Sequence, residues 1–216
     1  MLYNTLTLLD IAIIRNHFHL VEGLGVTLFP GAILRVIGTN GAGKTSLLRI
    51  IAGLADANAG QVICNQVDIR LEIHTYYSMV NYIGHLDAIN NELTTLENIT
   101  FWTTIYNSIE TLDAAISHME LQNYLDIPAA KLSKGLRKRV ALTKLLVSPK
   151  CFWILDEPFA NLDALSTERL CNMIAAKSSQ GGIVIISSHK EQDALSESNV
   201  INNHHVSNLF LAQFTH

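Results

Sequence analysis

Apolar positions change their spacing several times along the chain, and each change marks an element. Residues 2–14 and 18–29 carry β-prone apolar runs broken near Asn16 and His17, which predicts a small antiparallel region. Pro30-Gly31 marks a turn, and residues 32–37 (AILRVI) predict a strand entering a glycine-rich loop. From Lys44 the spacing becomes helical through Leu47, Leu48, Ile50 and Ile51, with Gly53 as the stop signal. Residues 61–64 and 80–84 read as short strands.

Between about residues 94 and 126 the spacing is helical again: Leu96, Ile99 and Phe101, then Leu112, Ile116 and Met119. Pro128 separates this stretch from a further helix over about 133–147. Together they predict a helical subdomain, about 88–147, inserted in the core of a single domain spanning 1–216. Residues 151–155 (CFWIL) are apolar without interruption, as in a strand buried on both faces of a parallel sheet. A helix (about 164–178), an apolar strand (183–187), a short helix (about 190–197) and a polar, β-rich tail complete the pattern. Strands alternating with helices imply an α/β fold with a mainly parallel sheet.

Composition narrows the class. Hydrophobic residues make up 49% and charged residues 16%, which excludes a disordered chain and leaves apolar surface for a partner. Fifteen basic against nineteen acidic residues argue against nucleic acid as the main partner. Cys64, Cys151 and Cys171 are far apart, lack C-x-x-C spacing and read as reduced, buried thiols. No apolar run approaches the roughly 20 residues that span a bilayer, and Asp10 interrupts the apolar N-terminus, so no signal peptide is expected. Membrane association would have to come through another protein.

Residues 38–45 read GTNGAGKT, a full GxxxxGK(S/T) match between a predicted strand and a predicted helix. Gly38, Gly41 and Gly43 let backbone N–H groups approach phosphate oxygens. The helix beginning near Lys44 adds free N–H groups and the positive end of its dipole. Lys44 suits the β- and γ-phosphates and Thr45 suits Mg²⁺. The nucleotide-binding set is Gly38, Thr39, Asn40, Gly41, Ala42, Gly43, Lys44, Thr45 and Ser46, with ATP and Mg²⁺ as the expected cofactors.

Asp156-Glu157 follows the buried strand directly. Asp156 suits orientation of Mg²⁺ together with Thr45, and Glu157 suits polarisation of the attacking water. Asp163 suits the N-cap of the next helix. His189 ends the strand IVIISS, where it is either structural or a γ-phosphate sensor with a catalytic role beside Glu157. LSKGL (132–136) opens a basic helix. Lys131, Lys134, Arg137, Lys138, Arg139, Lys144 and Lys150 supply seven of the fifteen basic residues, and no acid lies between 129 and 155. That cluster is either a solvated face or a phosphate cradle in which Ser133 and Gly135 use hydroxyl, N–H and dipole.

The order GTNGAGKT, LSKGL, WILDEP, NLD, SSH over residues 30–190 resembles the ATP-binding subunit of ABC transporters, whose signature is LSGGQ. The resemblance implies a P-loop ATPase fold and a head-to-tail homodimer in the ATP-bound state. Each ATP would lie between the phosphate loop of one copy and Leu132, Ser133, Lys134 and Gly135 of the other. It also implies Asp163 in the loop facing the second copy, integral membrane transporter subunits as partners, and a peripheral position on the cytoplasmic face of the inner membrane. The segments YIGHLDAINNELTTLENITFW (82–102), LSKGLRKRVAL (132–142), FWILDEPFANLD (152–163) and QGGIVIISSH (180–189) are similar to the branch serving cytochrome c biogenesis, which implies haem-handling membrane partners. Three departures stand out. Leu86 occupies the position of a family Gln, Leu136 replaces the last signature residue, and Lys134 replaces a small one. The family's adenine-stacking aromatic near the N-terminus is not evident; Arg15 is closest in register, with His17 or Phe18 as substitutes.

Overall fold

Alternating apolar positions at the N-terminus fold into a hairpin. Strands β1 (Leu6–Arg15) and β2 (Phe18–Leu28) pair antiparallel, with Arg15 opposite Phe18. Asn16 and His17 hold left-handed φ of 48° and 67°, the two-residue turn that suits the twist of a hairpin. β4 (Ala59–Cys64) and β5 (Val67–Asp68) extend this sheet in the order β2-β1-β4-β5. The structure, a computed structural model, describes residues 4–85, 88–189, 194–198 and 204–211. Leu86 lies outside the described residues.

The second sheet is parallel and carries the chemistry. It contains β3 (Ile33–Ile37), β6 (Val80–Ile83), β7 (Phe152–Leu155), β8 (Ile183–Ser188) and β9 (Val206–Phe210), in the order β6-β7-β8-β3-β9. Every residue of β7 is buried, as its unbroken apolar run predicts. Side chains alternate across the sheet: Phe152 and Ile154 enter one core, Trp153 and Leu155 the other. The first core lies between the two sheets and takes in α1 (Lys44–Ile51). The second lies beneath the helices on the opposite face.

Between β6 and β7 the chain forms α3 (Thr95–Ile105), α4 (Leu112–His118) and α5 (Lys134–Val147). Helix α3 starts at a capping box in which Thr94 and Glu97 satisfy each other's backbone N–H groups. Helix α6 (Ala164–Ser179) connects β7 to β8, and α7 (Ala194–Glu197) follows β8. Helix α2 (Ile73–Met79) was not expected. It has two turns and a single buried residue, Tyr76, so it leaves no periodic signal.

Candidate functional site

β3 delivers Gly38 to the end of the sheet, where its N–H donates to Ser188 O at 3.3 Å. The loop then turns back into α1 through Gly43, whose φ of 94° favours glycine. A Cβ at residue 43 would stand 3.2 Å from the Leu20 Cβ, so β2 presses directly on this turn. No side chain caps α1, and its first-turn N–H groups are left for an anion.

Lys44 opens α1 and is buried. Its ammonium donates to Gly38 O at 2.7 Å and Thr39 O at 3.0 Å, and lies 3.1 Å from His189 Nδ1. Those three partners match the three N–H bonds of an ammonium. Burial lowers the Lys44 pKa, while Glu157 and Asp156 oppose the shift. A triphosphate in the loop could take over these contacts from the two carbonyls.

The carboxylates sit at the end of β7. Asp156 is buried, and its N–H donates to Ile83 O at 2.8 Å, tying β6 to β7. Both of its oxygens are occupied: Oδ2 accepts from Thr45 Oγ1 at 2.7 Å and Oδ1 from Ser187 Oγ at 2.6 Å. Glu157 has a left-handed φ of 49°, and its N–H donates to Ser187 Oγ at 2.9 Å. Such a conformation is costly outside glycine, and strain of this kind concentrates at functional sites. Glu157 Oε1 lies 2.6 Å from His189 Nε2. Lys44 and Thr45 at the start of α1, Asp156 and Glu157 beyond β7 and His189 beyond β8 thus form one network, connected through Ser187. Ser187 joins the two carboxylate residues; it opens the SSH segment, but only His189 stands out there from the sequence, because a serine at a strand end has no charge or spacing that marks its partners. The Thr45 hydroxyl and Asp156 carboxylate converge as hard oxygen donors and fit Mg²⁺.

The signature segment lies at the start of α5. Ser133 is the N-cap, its Oγ accepting from Leu136 N at 3.2 Å, which leaves the hydroxyl proton for another acceptor. Gly135 lies in the first turn, where N–H groups have no intrahelical acceptor. A Cβ there would stand 2.8 Å from Asn161 O. Leu136 packs its side chain on the apolar core beneath the helices. Asp163 caps α6, its carboxylate accepting from Ser166 N at 2.7 Å, and this bond lowers its pKa. Leu132, Lys134, Arg137, Lys138, Asn161 and Glu157 line one cleft of about 660 Å³.

A family model described as ABC transporter matches residues 21–160, covering the phosphate loop, the signature segment and both carboxylates. The chain belongs to the ABC transporter family. As an ABC ATPase it binds and hydrolyses ATP. It is 42% identical over 172 residues to the "Cytochrome c biogenesis ATP-binding export protein CcmA" of Rickettsia bellii, covering 80% of this chain and 86% of that protein. It is 35% identical over 189 residues to the protein of the same name from Yersinia pestis, covering 87% of each. An ABC transporter ATP-binding protein of Pyrococcus furiosus has the same fold, with a TM-score of 0.78 at 22% identity over 96% of this chain and 97% of that one. Among the described residues, no helix is long and apolar enough to cross a membrane.

Proposed function

We propose that the chain is the ATP-hydrolysing subunit of an export complex for cytochrome c biogenesis, using ATP to drive haem export or release from a haem chaperone. Its partners are integral membrane subunits of the CcmB/CcmC type, and it docks on them at the cytoplasmic face of the inner membrane. The observation that carries the hydrolytic reading is the single network running from Lys44 through His189 and Glu157 to Ser187, Asp156 and Thr45. The likeness to the Rickettsia and Yersinia CcmA proteins supports the narrower one.

Each residue has a distinct task. The N–H groups of residues 38–46 hold the phosphates, and Lys44 turns from the Gly38 and Thr39 carbonyls to the β- and γ-phosphate oxygens. Thr45 and Asp156 hold Mg²⁺, which neutralises phosphate charge when bound. Glu157 accepts the proton of the attacking water, and His189 holds Glu157 while facing the γ-phosphate. Ser133 and Gly135 of a second copy donate to the γ-phosphate from the far side, with Leu132 and Lys134 alongside and Asp163 at the junction of the copies. An ATPase subunit for another solute, or an ATP-gated dimer of low turnover, is the alternative. Glu157 favours the hydrolysing subunit, and Leu86, an apolar residue where the family has a Gln, favours the low-turnover dimer.

Affinity capture of the chain from membranes, with mass spectrometry of what co-purifies, tests the role. Recovery of haem-handling membrane proteins is expected. Recovery of a permease for another solute would overturn the haem reading and leave the ATPase standing.

A further inference from the structure

Three neighbouring strand ends face one another at the site. The sheet order places β6, β7 and β8 side by side. His85 stands two residues beyond β6, Glu157 two beyond β7 and His189 one beyond β8. The carboxylate on the middle strand therefore has an imidazole on each side. His189 Nε2 is 2.6 Å from Oε1, and His85 Nδ1 is 4.0 Å from the opposite oxygen, Oε2.

Local structure aims His85 there. The Asp156 N–H bond to Ile83 O pins the end of β6 two residues before it. Gly84 lets the chain pass close over the Tyr82 ring, where a Cβ would meet ring atoms at 3.0–3.3 Å. His85 and Glu157 then line the same cleft of about 660 Å³. A separation of 4.0 Å is too long for a hydrogen bond, but a small side-chain rotation or one bridging water closes it.

We propose that His85 is a second positioning residue for Glu157. It donates to Oε2 as His189 donates to Oε1, and so fixes the plane of the carboxylate against the attacking water. His85 acts through Glu157 rather than on the substrate. The assignment rests on Glu157 being the proton acceptor.

The test uses the full chain and measures kcat and KM for Mg-ATP separately in His85→Ala, His85→Gln, Glu157→Gln and the His85→Ala/Glu157→Gln double variant. His85→Ala should lower kcat about tenfold, the scale of one hydrogen bond to a charged group, with KM within about twofold. His85→Gln, which keeps a donor, should recover most of the loss. In the Glu157→Gln background, His85→Ala should have no further effect on the residual rate. Because His85 is 72% exposed, the melting temperature should not move. Wild-type kcat in His85→Ala beside a strongly reduced kcat in Glu157→Gln would overturn the role of His85 alone. A full tenfold loss repeated in the double variant would do the same. Wild-type kcat in Glu157→Gln would remove the proton-acceptor assignment and this inference with it.

Discussion

Ser187 donates to Asp156 Oδ1 at 2.6 Å, and the same hydroxyl oxygen accepts the Glu157 N–H at 2.9 Å. One buried serine on β8 therefore holds two consecutive residues at the end of β7. Ser187→Ala would leave an N–H and a carboxylate oxygen without their partners. The expected cost is about 1–3 kcal/mol of stability, or roughly 2–10 °C in melting temperature for a chain of this size. Turnover should fall as well. Calorimetry and a steady-state ATPase assay check both, and an unchanged melting temperature would deny Ser187 this role.

Gly135 has no room for a side chain. A Cβ would stand 2.8 Å from the Asn161 carbonyl, a backbone atom that cannot step aside cheaply. Gly135→Ala should displace the start of α5 from the loop before α6 and lower kcat by at least about tenfold, as misplacement near a reacting centre does. ATP binding by the isolated chain should persist, because the phosphate loop is untouched. Parallel measurements of ATP affinity and turnover separate the two effects.

Arg15 and Phe18 are cross-strand partners at the hairpin end, and Leu20, two residues further along β2, packs against Gly43. A base attached to phosphates in the loop would extend along this hairpin. Phe18→Ala should weaken ATP binding several-fold and Phe18→Tyr should not, since an aromatic face is what stacks. His17 occupies the turn itself, and His17→Ala should have the smaller effect. Titration with a fluorescent ATP analogue reads all three.

Lys144 on α5 places its ammonium 4.6 Å from the centre of the Trp102 ring and 3.4 Å from Tyr82 O, bridging the helices and β6. Burial, with Lys150 nearby, lowers its pKa from 10.5 to about 8. The folded chain releases this proton near pH 8 and the unfolded chain near 10.5, so the unfolded state binds more protons between those values. Across that window the Lys144 contribution to stability should rise with pH. Below pH 8 the full cost of the buried charge is present. Lys144→Met should remove this part of the rise, a difference on the order of 2 kcal/mol between pH 7 and pH 10.5. Denaturant melts of both proteins across this range provide the comparison.

Much of the fold was legible because its decisive strands are extreme. CFWIL has only one sensible burial, the hairpin carries its own turn, and GTNGAGKT needs a strand before it and a helix after it. Sheet order was less visible: nothing in residues 206–210 announces that they pair with β3 at the edge beyond β8. Within the site, Lys44, Thr45, Asp156 and Glu157 were legible because phosphate chemistry fixes their spacing. Ser187 and His85 were not, because each acts across strands that are distant in sequence. Asp163 was readable as a helix cap, and that is the bond it makes in the single chain.

In the proposed function two copies close over ATP, the phosphate loop of one against Ser133 and Gly135 of the other. The most direct measurement is the molar mass of the Glu157→Gln variant by light scattering, with and without saturating Mg-ATP. A monomer that becomes a dimer with ATP, and reverts when Ser133→Arg is added, is the expected result. A Glu157→Gln protein that binds ATP yet remains monomeric at every accessible concentration would contradict it.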